Sequence, residues 1–397
     1  MKIALVANRF PSISETFIYN HAAGLQSAGA DVTVIAGPSS DGALFADRAG
    51  PRFAGTIRSP VFASGVAPTL RNVLSEFAHR PRADFALWRM AVRLYGQTPR
   101  ALRAWLLALP CMGFDIVHFE LSGLAVTWLD AIPLLKPTKI VVSCRGSAEQ
   151  ITPLVDPERA GKLKQVFEIV DRVHCVSFSM RDTCKRYGLD PSKAFVNHPA
   201  IDTASFHRRT PYGVQSEQGL RLLSTGRLHW AKGIEFALLS VRSLIEQGID
   251  LHYTILGSGP DEDRLRFGAR ELGLDTHVTF VGSRSSTEVR DALEATDIYI
   301  LPSVSEGVSN AALEAMAMSL PVVSTTAGGM AEAITDGLDG MTVPPREPLA
   351  MASRIATLAG DPQLRRSLGI AARHRVEREF DLKRQIACFI AEYDALG

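Results

Sequence analysis

The sequence predicts an α/β chain made of two successive βαβ-built halves, each a parallel sheet covered by helices. Three observations carry this. Apolar runs without polar alternation, such as IALVA at 3–7, KIVVS at 139–143 and IYIL at 298–301, read as strands buried on both faces. Longer segments of helical character separate them, which gives βαβ units. The pattern begins twice, at residue 3 and at residue 220, on either side of a polar stretch at 203–219 that carries Pro211 and Gly213 and reads as a linker.

In the first half, the strand at 3–7 is followed by NRFPSISETFIYNHAAGLQSAGA, in which Ser12 or Ser14 can cap a helix that runs to about Ser27, and 32–36 is the second strand. The loop has no G-x-G-x-x-G, so no dinucleotide site is expected there. Further strands are expected at 114–121, 139–143, 172–177 and 194–202, with Ser179 capping the helix after the strand at 172–177. His118, inside a strand, reads as a core histidine or a site residue. Residues 48–110 hold ten Arg, no Lys and two acids, +8 in a chain whose net charge is +1. Phe85, Leu87, Trp88, Leu94 and Tyr95 interleave with Arg82, Arg89 and Arg93 at near-helical spacing. Such a helix either lies on an anionic membrane surface or packs on the sheet with a solvated Arg face. The Arg are dispersed and match no nucleic-acid motif, so no nucleic-acid partner is expected.

In the second half, strands are expected at 220–224, 252–256, 278–282, 298–301, 321–324 and 341–343, with helices at 234–247, 348–360 and 362–379. The loop TGRLHWAKG places Arg227 and Lys232 on a glycine-flanked turn before a helix, two cations suited to a diphosphate. The strand at 298–301 stops at Pro302, and a polar loop leads to a helix from about Asn310 with Ser309 as its N-cap. Backbone N–H groups at Ser309–Ala312 suit an anion, Glu306 in the loop suits sugar hydroxyls, and Glu314, a turn into the helix, suits ribose hydroxyls. Together these describe a nucleotide-sugar site at the carboxyl ends of parallel strands. Asp261-Glu262-Asp263 spells a metal-binding DxD string, but it follows Gly-Pro at a helix start, where acids favour the dipole; no metal and no other cofactor is expected.

The five cysteines at 111, 144, 175, 184 and 388 are scattered and form no CxxC, which favours reduced thiols in a cytoplasmic protein. Residues 3–7 are too short for a signal-peptide core, and no run of 18 uncharged apolar residues offers a membrane span.

The strings EGVSNAALEAMA followed by SLPVVST (Glu306 to Glu314 and beyond), TGRLHWAKG and GSGPDEDRLR resemble the signature of glycosyltransferase family 4, the retaining family with the GT-B fold. The FPSISETFI loop, in place of the glycine pair many members carry, looks like a branch working on bacterial exopolysaccharides, including colanic-acid-type enzymes. The resemblance spans the chain and is strongest over 220–345. It implies two Rossmann-like domains whose parallel sheets face across a cleft. The acceptor domain would be 1–205, the donor domain 206–380, and a final helix at 381–397 would cross back to the first. It implies a nucleotide-sugar donor, with UDP or GDP, held by Gly226, Arg227, Lys232, Gly257, Arg284, Glu306, Gly307, Val308, Ser309, Asn310, Ala311 and Glu314. The acceptor, a saccharide or a saccharide on polyprenyl diphosphate, would meet Ser14, Glu15, Thr16, Arg145, Gly146 and Ser147. The first three of these can equally serve the helix start. Arg145-Gly146 stands where a catalytically important His-Gly commonly lies in the family; an arginine binds oxyanions there but is no base at neutral pH. Arg227, Lys232, Glu306 and Arg145 are the residues expected to carry catalysis. The same fold also hosts sugar phosphorylases, nucleotide-sugar epimerases and non-catalytic sugar-binding modules. An acceptor carried on a lipid would bring the enzyme to the inner face of the membrane.

Overall fold

The structure, a computed structural model, describes residues 1–12, 15–39, 52–59, 81–210 and 219–397, without the side chains of residues 81 and 82. Strands β1 (Lys2–Arg9), β2 (Asp31–Gly37), β3 (Thr56–Arg58), β4 (Ile116–Phe119), β5 (Lys139–Cys144), β6 (Arg172–Cys175) and β7 (Ala194–Val196) form one sheet in the order β3-β2-β1-β4-β5-β6-β7. Every pairing in it is parallel. A second parallel sheet has the order β10-β9-β8-β11-β12-β13, from β8 (Leu220–Thr225), β9 (Leu251–Leu256), β10 (Val278–Gly282), β11 (Ile298–Leu301), β12 (Val322–Thr325) and β13 (Met341–Val343). Each sheet reverses its winding once, between β1 and β4 and between β8 and β11, and ligands of doubly wound sheets bind outside the strand ends at that reversal.

The chain folds as two units. The first takes the described residues up to Asn197 together with Ile386–Gly397; the second takes His198–Gln385. The central strands are buried on both faces, as their unbroken apolar runs require: Ile3, Ala4 and Leu5 in one sheet and Ile298, Tyr299 and Ile300 in the other are fully covered.

Several local expectations are corrected. The helix Thr16–Ser27 is preceded by Glu15 as N-cap residue, with no side-chain cap, so Ser12 does not cap it; Ser14 lies outside the described residues. Ser177, in extended conformation, caps Phe178–Lys185 by accepting from the Met180 N–H at 3.0 Å, and Ser179 lies inside the helix. The strand expected over 194–202 ends at Val196, ahead of Pro199, which has no N–H to give a ladder; Ile201 makes only an isolated bridge to Asp381. The described part of the expected linker is docked on the second unit, where Arg208, Arg209 and Thr210 all bond to Glu294. Among the described residues, no helix is long and apolar enough to cross a membrane.

Candidate active site

At the reversal between β8 and β11, the loop after β8 carries Gly226 and Arg227 into the turn Trp230–Lys232. This turn is fastened to the loop after β11: the N–H groups of Val304 and Ser305 donate to the Ala231 carbonyl at 2.8 and 3.2 Å. Gly233, at φ 62°, closes the turn in the left-handed region, and a Cβ there would strike the Pro302 carbonyl oxygen. Gly257 has the same duty toward the neighbouring loop, since a Cβ on it would overlap the Gly226 carbonyl. Backbone contacts this close permit glycine alone.

The fastening brings Lys232 Nζ onto Glu306 Oε1 as an ion pair, and Ser303 Oγ donates to the same oxygen at 2.8 Å. The two side chains are 25 % and 11 % exposed. Arg227 is exposed, and among the described residues it has no ion-pair partner. A pocket within this unit is lined by Thr225, Gly226, Arg227, Lys232, Leu301 and Pro302. One contributor was not foreseen. The buried Tyr299 hydroxyl accepts from the Thr225 N–H at 3.2 Å and ties β11 to the start of the loop after β8. Burial raises its pKa, and the charges of Glu314 and Glu306 add to the effect, so both carboxylates lie within electrostatic reach of it. A lone Tyr inside IYIL was the available signal.

The helix Asn310–Ala317 starts as expected, with Ser309 Oγ accepting from the Ala312 N–H at 3.4 Å. The Ser309 N–H is engaged by Met330 Sδ at 3.3 Å. The anion-facing donors of this terminus therefore narrow to Asn310 and Ala311. The Asn310 Oδ1 is buried without a hydrogen-bond partner. Gly307 is fixed by its carbonyl, which accepts from the Gly329 N–H at 2.7 Å, and Val308 is buried. Glu314 is half-buried one turn in. Arg284, at the end of β10, bonds back to the Ser283 carbonyl at 3.0 Å and lies 3.5 Å from Glu288. Of the DxD string, Asp261 is the N-cap residue without a side-chain cap bond, Glu262 and Asp263 lie in the first turn, and Arg264 and Arg266 pair with Asp261 and Glu262.

In the first unit, the reversal between β1 and β4 holds Glu15, Thr16 and Arg145. The Arg145 guanidinium donates to the Glu120 carbonyl at 3.1 Å and to Glu120 Oε2 at 2.8 Å, and lies 4.2 Å over the Phe17 ring. Glu120 Oε1 meets His21 Nδ1 at 2.6 Å. Burial alone would raise the Glu120 carboxyl, but His21 and then Arg145 hold it well below the usual carboxylate range. Glu15 is shifted upward, by burial first and then by the Glu120 charge. Gly146 and exposed Ser147 begin a short helix whose Glu149 is buried, accepting at Oε2 from the N–H groups of Arg145 and Gly146 at 3.2 and 3.1 Å. His118 is a core residue with both ring nitrogens engaged, by Tyr393 at 2.5 Å and Ser143 at 2.8 Å. His21, His118 and Glu120 converge closely enough to suggest a metal, yet His118 has no lone pair left for one.

In the Arg-rich stretch, the helix Pro81–Tyr95 packs Leu87 and Ala91 inward. Trp88 stacks edge-on with Trp105 at 5.6 Å, and the Tyr95 hydroxyl donates to the Asp130 carbonyl at 2.9 Å. Among the described side chains of this helix and the next, the exposed large apolar ones are Phe85, Met90, Leu94 and Leu102, alongside exposed Arg89, Arg93 and Arg103.

Residues 14–205 match the description Glycosyltransferase Family 4, and residues 219–361 match Glycosyl transferases group 1. A colanic acid biosynthesis glycosyltransferase of Salmonella typhimurium is 30 % identical over 288 residues, 69 % of either chain. An amylovoran biosynthesis glycosyltransferase of Erwinia amylovora is 26 % identical over 96 % of both. Among solved structures, HepE of Anabaena, in complex with UDP and glucose, superposes with a TM-score of 0.75 at 16 % identity, over 99 % of this chain and all of that one. Sucrose-phosphate synthase of Thermosynechococcus elongatus gives 0.74 at 18 % identity, over 100 % and 99 %. The two parallel sheets and these superpositions establish the GT-B fold, and the sequence relationships establish the family: the chain is a member of the group 1, family 4 glycosyltransferases.

Proposed function

We propose that the protein is a retaining glycosyltransferase that moves a sugar from a nucleoside-diphosphate sugar, with UDP or GDP as carrier, onto a growing exopolysaccharide unit. The observation that carries this reading is the Lys232–Glu306 pair at the β8/β11 reversal, beside the exposed Arg227 and the start of the Asn310–Ala317 helix. In this reading Arg227 and Lys232 hold the diphosphate and offset the charge that develops as the glycosidic bond breaks. The N–H groups of Asn310 and Ala311 add backbone donors, and Asn310 Oδ1 has an acceptor lone pair to offer a hydroxyl. Glu306 accepts from sugar hydroxyls and Glu314 from ribose. With two cations on the diphosphate, the site needs no metal.

No carboxylate is assigned as a covalent nucleophile. Departure and attack occur on the same face of the sugar, and the leaving phosphate takes the acceptor proton. Glu15, Thr16, Arg145, Gly146 and Ser147 would receive the acceptor, a saccharide or one carried on polyprenyl diphosphate. The relatives named for colanic acid and amylovoran biosynthesis support a polysaccharide acceptor. A lipid-borne acceptor places the protein at the cytoplasmic face of the membrane. Phe85, Met90, Leu94 and Leu102 with Arg89, Arg93 and Arg103 form the face suited to that surface. This set replaces Trp88 and Tyr95, which are committed to packing.

Product analysis after a thermal-shift screen of nucleotide sugars tests the reading. Transfer with the donor's anomeric configuration kept is the expected result. Inverted product, transfer to phosphate or an isomerised donor would overturn it.

A further inference from the structure

A chain of buried polar side chains crosses the first unit from Glu120 to the end of β7. Glu120 Oε1 meets His21 Nδ1 at 2.6 Å, and His21 Nε2 faces the Tyr393 hydroxyl at 3.4 Å. That hydroxyl meets His118 Nδ1 at 2.5 Å, and His118 Nε2 meets Ser143 Oγ at 2.8 Å. Ser143 Oγ meets His174 Nδ1 at 2.8 Å, and His174 Nε2 meets the Asn197 carbonyl at 2.7 Å. All five side chains between the ends are buried.

The two ends, a carboxylate and a carbonyl, only accept. The six contacts between them need six protons, whereas His21, Tyr393, His118, Ser143 and His174 bring five when each is neutral. One imidazole therefore carries a second proton. Burial pushes the His118 pKa down to about 3 and the His174 pKa well below 6.5, and among the described residues neither ring makes a hydrogen bond or ion pair with a carboxylate. His21 lies against one. With the extra proton on His21, every other hydrogen is fixed. His21 donates to both Glu120 and Tyr393, Tyr393 donates to His118, His118 to Ser143, Ser143 to His174, and His174 to Asn197.

Glu120 then lies between two cations, and its second oxygen and its carbonyl together take the Nε and Nη2 of Arg145. Among the described residues, Nη1 is the open corner of a guanidinium otherwise fixed by Glu120 and Phe17. Tyr393 and Phe389, whose ring centroid lies 4.1 Å from that of His21, come from the opposite end of the chain. We propose that His21 is a buried imidazolium and that, with the Glu120 carboxylate it holds, it is a positioning residue for Arg145 in the acceptor site. The role of Arg145 rests on the function proposed above; the proton count does not.

Ring-nitrogen NMR of the full-length protein with ¹⁵N-labelled histidine is the test, with His21→Gln to assign the signal. The expected result is one ring protonated on both nitrogens at neutral pH, and two buried rings protonated on Nε2 alone. A singly protonated His21 in the wild type would overturn the inference. In Glu120→Gln, His21 should become neutral and the Arg145 Nε–H should exchange with solvent at least tenfold faster. Glu120→Asp, which keeps the charge, should retain the imidazolium if the glutamine variant does not fold. Unchanged Arg145 exchange in a folded Glu120→Gln protein would refute the positioning role. Nucleotide binding by calorimetry, run on the same samples, reports on the donor-site reading separately.

Discussion

Lys232→Ala removes one partner of the Lys232–Glu306 pair and leaves the Glu306 carboxylate, 11 % exposed, without its cation, while Ser303 Oγ still donates to it. Breaking a fully buried pair from one side costs ~3–5 kcal/mol, while exposed pairs are worth about 0–1 kcal/mol. With Lys232 itself 25 % exposed, the expected loss of stability lies between, about 1–2 kcal/mol. The expected loss of turnover is larger. A preorganised contact to charge that develops in the transition state is worth ~2.7–4 kcal/mol, or roughly 100–1,000-fold in rate. The two effects separate in the double variant Lys232→Ala/Glu306→Gln. Removing the charge of the carboxylate that has lost its cation should recover part of the lost stability, while turnover should stay at the single-variant level or fall further. Urea denaturation gives the first quantity and steady-state transfer the second. A folded Lys232→Ala protein that transfers at the wild-type rate would remove Lys232 from the mechanism. A double variant no more stable than the single would show that the pair is not what holds these loops.

Glu314→Gln should weaken binding of the bare nucleoside diphosphate by about 1.5–3 kcal/mol, with Glu306→Gln not weakening it; calorimetry showing wild-type binding by both refutes the ribose assignment. Transfer should survive chelator treatment, and activity abolished by EDTA and restored by Mg²⁺ would mean that Asp261 and Asp263 bind metal after all. Wild-type protein should co-sediment with anionic vesicles at low salt and less at high salt, and Arg82→Gln/Arg89→Gln/Arg93→Gln should release it, at ~1 kcal/mol per residue; indifference to vesicles at low salt refutes the membrane face. His118 is neutral when folded and has a depressed pKa of about 3, so the unfolded chain takes up the proton first. Stability should therefore decline as pH falls below the ordinary value of 6.5, and a folded His118→Asn protein should show a flatter decline in pH-dependent denaturation.

What could be read from the sequence was what sequence neighbours determine. A strand buried on both faces is an apolar run, so β1, β5 and β11 were visible as 3–7, 139–143 and 298–301. A cap lies within three residues of its helix, so Ser309 was visible too. A choice decided by two positions went wrong where Ser177, not Ser179, caps Phe178–Lys185. Pairings across the fold were out of reach. Lys232 and Glu306 were each assigned a separate part of the donor, and nothing in either loop announces that they bond to each other across 74 positions. The His21–Glu120–Arg145 cluster draws on three elements, and its Tyr393 on a fourth, near the other terminus.

That unforeseen pairing bears on how the donor would enter. With Lys232 neutralised by Glu306, the cation immediately available to an incoming diphosphate is Arg227, exposed and without an ion-pair partner among the described residues. A diphosphate must draw Lys232 Nζ from Glu306 or share it. The sugar hydroxyls then supply the hydrogen bonds that Glu306 gives up, which the diphosphate alone cannot do. A bare nucleoside diphosphate leaves the carboxylate under-satisfied and the pair in competition with the phosphate, whereas the complete donor satisfies both ends. Under the proposed function, the pair would therefore couple recognition of the phosphates to recognition of the sugar. Glu306→Gln, which releases Lys232 from its internal partner, should narrow the gap in affinity between the nucleoside diphosphate and the intact nucleotide sugar. A gap as wide as in the wild type would show that the two halves of the donor are recognised independently.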